Sequence, residues 1–412
     1  MPKVLVTDSS ERAALAVIRS LGRRGIEVVA ADSTSFNTGF LSKYCSRRVI
    51  YPPPQKNKSK FVDSMLRLVK NENFDLLIPI TDFTMIPILE RRDEFEEYVK
   101  VAAPPYKTAI KAFDKARTIK IAEEQGISCP RTFLLGDPDD LKVAENLKYP
   151  VVVKPRMKVL WIEDRAIMVK VTPGNYAYNS EDLMKKYVKI TSQFNSFDIP
   201  HDFFMIQEFA EGKGYGVEAL MHNSELKAIF MHKRLREYPI TGGASTLRVS
   251  VRNEKLMNYA VDLLNAMDWQ GVAMVEFKLD ELSGDAKLLE VNGRFWGSLP
   301  LAITAGVDFP YLLYKLMMGE NVASCYDYKV GVMQRWLIPG DLLWLFASLQ
   351  NNQRSKLRDL MEFLGSSQIP DDIISFSDTS PTFGAIVETL HYFFDAIKGK
   401  RTIYGETGFG AT

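Results

Sequence analysis

An α/β fold of more than one lobe is predicted by three features of this sequence. Strand-like and helix-like segments alternate through the first hundred residues. Two β-rich blocks and a further strand pair follow a change of texture near residue 107, and from about residue 325 helical stretches dominate. Regular alternation predicts an open sheet with right-handed crossovers. At 412 residues the chain is too long for one compact core, so two or three lobes are expected. The boundaries read as an N-terminal α/β lobe at 1–106, an α+β segment at 107–324 and a mostly helical C-terminal extension at 325–412.

The first lobe opens on KVLVTD at 3–8, a buried parallel strand followed by a polar turn. Residues 11–21 carry Ala14, Leu15, Val17, Ile18 and Leu21 at helical spacing, and Gly22 and Gly25 end that helix. IEVVAA at 26–31 is a second strand, 61–70 a helix and DLLIPI at 75–80 another strand. A dinucleotide fold requires a glycine-rich turn after the first strand, and Asp8-Ser9-Ser10-Glu11-Arg12 has no glycine. The lobe is therefore a structural or substrate-facing domain. Further on, 109–125 reads as one long helix, with β-rich blocks near 131–170 and 203–235. A helix at 254–267 leads into paired strands at 271–280 and 286–292.

Composition narrows the function. Lys plus Arg number 52 against 51 for Asp plus Glu, a formal charge of +1, which argues against binding nucleic acid through a global positive field. Cys45, Cys129 and Cys325 are too scattered for a disulfide framework or a metal cluster. The four histidines, His201, His222, His232 and His391, show no metal-ligand spacing. No signal peptide is read after Met1, and apolar runs such as 342–347 are too short to span a bilayer. A cytoplasmic protein that binds neither nucleic acid nor membrane is expected.

Candidate chemistry gathers near residue 280. Side chains alternate along a strand, so Glu290 and Asn292 share one face, and pairing through the turn brings Glu276 beside them. Two carboxylates and an amide oxygen make a hard site suited to Mg²⁺ held between protein and phosphates. The alternative is two solvent-facing glutamates on an antiparallel hairpin. Arg294 follows Asn292 by two residues, flanked by Gly293, Phe295, Trp296 and Gly297. Its planar fork suits a transferring phosphoryl group, against the alternative of a surface arginine. Lys154 closes the apolar strand at 150–155 (PVVVKP), where it either neutralises phosphate or snorkels into solvent. Lys115, by itself, reads as a solvated helical lysine. Residues 205–212 (MIQEFAEG) form a strand and polar connector of the kind that meets an adenine edge.

Taken together, Lys115, PVVVKP, QEFAEG at 207–212, Glu276-Phe277-Lys278 and Glu290-Val291-Asn292-Gly293-Arg294 resemble the ATP-grasp superfamily in order and spacing, over about residues 107–320. The wording at 295–298 (FWGS) and 305–310 (AGVDFP) is similar to its carbamoyl-phosphate-synthase-like branch of carboxylate-amine ligases. The resemblance implies a two-lobed ATP-grasp module preceded by an α/β lobe. It implies ATP contacts from Lys115, Lys154, Gln207, Glu208, Phe209, Ala210 and Glu211. It also implies Mg²⁺, or Mn²⁺ as an alternative, on Glu276, Glu290 and Asn292. Arg294 and Arg234 become the catalytic cations. Backbone amides at 241–245 (TGGAS) would form an anion nest, unless that loop is only a flexible turn. The implied activity joins a small carboxylate to an amine through an acyl phosphate, releasing ADP and phosphate, in a protein expected to be a homodimer. A carboxyphosphate-forming or kinase-like enzyme and a non-catalytic nucleotide-binding protein are the alternatives. Two positions depart from the family: the stretch after Lys154 has no glycine until Gly174, and Gly214 stands where related ligases often carry a ribose-binding glutamate.

Overall fold

The computed structural model describes residues 2–135, 146–169, 171–194, 197, 199–240, 242–351 and 355–397. The chain begins with β1 (Lys3–Val6), α1 (Arg12–Gly22), β2 (Glu27–Asp32), α2 (Thr38–Leu41), β3 (Arg47–Ile50), α3 (Lys58–Asn71), β4 (Leu76–Ile78), α4 (Asp82–Glu90), α5 (Arg92–Glu96) and β5 (Lys100–Val101). These strands form one parallel sheet in the order β3-β2-β1-β4-β5. Val4, Leu5, Val28 and Val29 are fully buried because helices cover both faces of the sheet. The glycine-free first turn is held from within. The buried Asp8 carboxylate accepts bonds from the Thr84 and Tyr51 hydroxyls and from the Thr81 amide, joining β1 to the start of α4.

The expected long helix at 109–125 is two helices, α6 (Tyr106–Phe113) and α7 (Lys115–Glu124). Asp114 breaks it: its backbone is extended and its side chain caps α7 by accepting from Ala116 N. Lys115 thereby becomes the first residue of a new helix and is buried.

The middle lobe has β6 (Thr132–Leu134), β7 (Val151–Pro155), a separate hairpin of β8 (Val159–Ile162) and β9 (Arg165–Met168), β10 (Tyr176–Ala177), α8 (Ser180–Thr191) and β11 (Phe204–Glu208). A four-stranded sheet, β10-β7-β11-β6, packs on α8. Next come β12 (Lys213–His222), β13 (Glu225–Tyr238), β14 (Ala244–Ser250), α9 (Glu254–Ala266), β15 (Gly271–Leu279), β16 (Ala286–Asn292), α10 (Leu299–Ala305), α11 (Phe309–Met317) and β17 (Met333–Arg335). They build a six-stranded antiparallel sheet, β16-β15-β12-β13-β14-β17. One face packs on α9; the other shares a core with α1, α10 and α11, so the large sheet and the N-terminal lobe bury surface on each other.

The chain ends in α12 (Leu342–Gln350), α13 (Lys356–Gly365) and α14 (Ser380–Ile397). The segment before α14 returns to the N-terminal lobe, where Asp372 and Asp378 pair with Arg12 and Arg19 of α1. Among the described residues no helix is long and apolar enough to cross a membrane.

Candidate functional site

A register shift converges the two glutamates. From the turn, β15 and β16 pair as Leu279↔Ala286, Lys278↔Lys287 and Phe277↔Leu288. Continued unbroken, that register would set Glu276 opposite Leu289. A bulge intervenes, and Glu276 lies opposite Glu290. Asn292 then bridges them, its Nδ2 donating to Glu276 Oε1 at 2.8 Å and to Glu290 Oε1 at 3.2 Å. The bulge is what places three oxygen-bearing side chains on one face.

Three lysines from other elements surround Glu290. Lys158, between β7 and the β8–β9 hairpin, donates to Glu290 Oε1 at 2.6 Å and to Asn292 Oδ1 at 3.1 Å. Lys115 Nζ lies 3.8 Å from Glu290 Oε2. Lys154 donates to Gln207 Oε1 at 2.6 Å, while Gln207 Nε2 donates to Thr132 at 2.8 Å. Burial disfavours the charged form of all four groups. Around Glu290 the ammonium groups of Lys158, Lys115 and Lys154 outweigh burial and hold its carboxyl well below the usual range. Lys154 loses on both counts: burial and then the neighbouring Lys115 pull its pKa down to about 7. Perturbed titratable groups gathered in one cleft mark it as a candidate functional site.

The arginines are anchored by acids. Arg234, on β13, pairs with Glu276 and, at 3.2 Å, with Glu237. These partners overcome burial and raise its pKa. Arg294 Nε donates to Asp82 Oδ1 at 2.8 Å, so the first residue of α4 in the N-terminal lobe meets the loop after β16. The residues flanking Arg294 are packing residues. Phe295 and Trp296 are each 1% exposed, and a Cβ on Gly293 would stand 2.3 Å from the ring of Trp269. Gly214 has a similar reason: a Cβ there would lie 3.0 Å from Arg234 Cδ and from Glu237 Oε1. A larger residue at that position would crowd the Arg234–Glu237 pair.

The connector residues lie at the end of β11. Gln207 is buried and its side chain turns inward to Lys154. Glu208 Oε1 accepts from Lys148 N at 2.8 Å, so its carboxylate is already engaged. Phe209 is 45% exposed, its N–H bonded to Pro150 O, and Ala210 and Glu211 continue to the surface. Of the loop at 241–245, Thr241 lies outside the described residues, and Gly243 turns its carbonyl toward Arg234 at 3.4 Å. His232 forms a fully buried pair with Glu218, Nδ1 to Oε1 at 2.6 Å; burial drives both toward their neutral forms, consistent with a structural role.

Sequence reasoning missed Asp82, Lys158 and Arg156. Arg156 grips the Asp114 cap through Nε at 3.1 Å and Nη2 at 2.6 Å, and its carbonyl accepts from Lys115 N, fastening Lys115 beside β7. The period-two run Lys154, Arg156, Lys158 was the available signal. Asp82 gave none, because its partner is 212 residues away.

The cleft is therefore a hard-oxygen trio facing three lysines and two anchored arginines. The donor set fits Mg²⁺, which takes one or two carboxylates and completes its shell with phosphate and water. Among the described residues no group of three or more His, Cys, Asp or Glu could hold a metal without such help.

Comparison with known proteins agrees with this architecture. Residues 201–337 match the family described as ATP-grasp in the biosynthetic pathway with Ter operon. The carbamoyl phosphate synthase large chain of Thermotoga petrophila is 22% identical over 266 residues, 63% of this chain. The chain spans only 23% of that relative's length. Among solved structures, an L-amino acid ligase from Bacillus licheniformis superposes with a TM-score of 0.59 at 15% identity, over 77% of this chain and 74% of its own. Biotin carboxylase from Campylobacter jejuni gives 0.63 at 15% identity, over 81% and 74%. At such identities the superpositions show a shared fold.

Proposed function

We propose, from the premise that this chain is an ATP-grasp protein, that it is an ATP-dependent ligase joining a carboxylate to an amine through an acyl phosphate. The carrying observation is the convergence of Lys115, Lys154 and Lys158 on the Glu276–Glu290–Asn292 oxygens in one cleft. The lysines answer the charge of a triphosphate, and Gln207 aims Lys154 at it. Glu208, Phe209, Ala210 and Glu211 border the adenine. Glu276, Glu290 and Asn292 are the residues that would hold Mg²⁺, which when bound would neutralise phosphate charge.

A substrate carboxylate oxygen attacks the γ-phosphorus as the bond to ADP breaks. Arg294 and Arg234 stabilise the charge that develops on the transferring group. An amine then attacks the acyl carbon and phosphate leaves. The name of the Bacillus neighbour, an L-amino acid ligase, supports carboxylate and amine substrates. Carbamoyl phosphate synthase and biotin carboxylase among the similar proteins favour carboxyphosphate formation as the second reading.

Product analysis decides between them. The protein is incubated with Mg²⁺-ATP and pooled amino acids and small carboxylates, and separately with bicarbonate. Pool-dependent ADP and phosphate in equal amounts are expected. Release dependent on bicarbonate alone would favour the second reading, and AMP with pyrophosphate would overturn both.

Lys154 gives a pH signature. Its free-state pKa of about 7 must rise beside a triphosphate, which favours the ammonium form. Nucleotide binding above pH 7 is thus expected to take up a proton. Affinity falls as pH rises from about 7 toward the bound-state pKa, by up to about tenfold per unit. Calorimetry at pH 8 in two buffers of different ionisation enthalpy measures the uptake; identical heats would refute it.

A further inference from the structure

Lys158 bridges two of the side chains read here as metal ligands. Its ammonium lies 2.6 Å from Glu290 Oε1 and 3.1 Å from Asn292 Oδ1, the two oxygens that β16 presents on one face. Asn292 is oriented accordingly, its Oδ1 toward the ammonium and its Nδ2 toward both carboxylates. The cavity beside this group, lined by Asp82, Lys115, Lys158, Glu290 and Asn292, measures about 20 Å³. That is room for about one water molecule.

The lysine is not free to drift. Lys158 O accepts from Val169 N at the base of the β8–β9 hairpin, and the hairpin tip is fastened to the N-terminal lobe. Asp164 Oδ1 accepts from Ser59 Oγ at 2.6 Å and from Ser59 N at 3.2 Å, at the start of α3, where a carboxylate is favoured. Asp164 O accepts from Lys58 N at 2.8 Å, and Ala166 N donates to Gln55 O at 3.0 Å. Trp161 packs on the core of the N-terminal lobe, with Lys58 Nζ 5.5 Å from its ring.

We propose that Lys158 is a tethered stand-in for the metal: it holds Glu290 and Asn292 in ligating positions and excludes free divalent cation until nucleotide draws the ammonium onto phosphate. The hairpin, strapped by Asp164, delivers it. Metal then binds tightly only with nucleotide, and bare cation binds the cleft weakly. This rests on the reading of Glu276, Glu290 and Asn292 as the metal site.

The test is Mn²⁺ binding to the full chain, followed by the electron paramagnetic resonance of free Mn²⁺, with thermal melting to verify folding. Without nucleotide, Lys158→Met is expected to bind Mn²⁺ about tenfold more tightly than wild type, since no ammonium need be displaced. Lys158→Arg, which keeps the charge, should match wild type. Asp164→Asn, which loosens the strap and leaves the site intact, should shift affinity in the same direction as Lys158→Met by a smaller factor. With a non-hydrolysable ATP analogue the advantage of Lys158→Met should vanish. Equal nucleotide-free affinity of wild type, Lys158→Met and Asp164→Asn would overturn the proposal and leave the metal site standing. Absence of Mn²⁺ binding in every variant, with and without the analogue, would overturn the metal site and this proposal together.

Discussion

Glu290→Gln is expected to leave the chain folded and nucleotide bound while reducing ADP release by about a hundredfold to a thousandfold. The substitution is isosteric, so Lys158 can still donate to the side-chain oxygen. What disappears is the one carboxylate on which Lys158, Lys115 and Lys154 converge. An amide would hold a divalent cation far more weakly, and charge developing on the transferring phosphoryl group would lose a counter-ion. The lysines, now without their carboxylate, remain available to the triphosphate, so nucleotide affinity should hold or rise. A fluorescent ATP analogue reports binding, and a coupled assay reports ADP. Retained binding with lost turnover supports an enzyme whose chemistry runs through this residue. Loss of both would mean that Glu290 organises the fold of the cleft, and full turnover would remove it from the metal set.

How far the cleft could be read beforehand follows the range of each interaction. The strands of the N-terminal lobe were legible because a parallel sheet covered on both faces demands unbroken apolar runs, as in residues 4–6 and 28–31. Glu290 and Asn292 on one face follow from a period of two. Convergence with Glu276 does not, because it depends on a bulge that nothing in the hairpin's apolar pattern announces. The break at Asp114 interrupts a run whose spacing suits a continuous helix; the competing signal was a good N-cap residue immediately before Lys115. Gln207 was assigned to the nucleotide connector on position alone, and its bond to Lys154 across the β7–β11 pair is not written in the local pattern. Lys158 and Asp82 meet partners 132 and 212 residues away, a distance at which local pattern carries no information.

The tail shows a second long-range dependence, with the largest expected effect on stability. Asp372→Asn is expected to cost about 3–5 kcal/mol, since it removes the charge from a buried ion pair and leaves its partners in place. The Asp372 side chain is fully buried. It accepts from Arg12 Nη1 at 2.8 Å and from Arg248 Nη2, so one carboxylate joins α1, β14 and the tail. Arg248 has little to fall back on: its side chain is 0% exposed, and Nε and Nη1 have no partner among the described residues. Arg12 lies over the Trp336 ring at 3.6 Å, which fixes its position but supplies only a small part of the lost charge interaction. Asparagine preserves the shape and can still accept one bond, so the loss reports charge more than volume. Arg91→Ala serves as the contrast. Its partners Asp63 and Glu94 are 58% and 45% exposed, and such exposed pairs contribute little. Chemical denaturation of the three proteins should therefore show a marked fall in midpoint for Asp372→Asn and almost none for Arg91→Ala. Equal midpoints would mean that water or an anion already compensates Arg248, and the tail would then be held by the Arg19–Asp378 pair and the apolar contacts of α14.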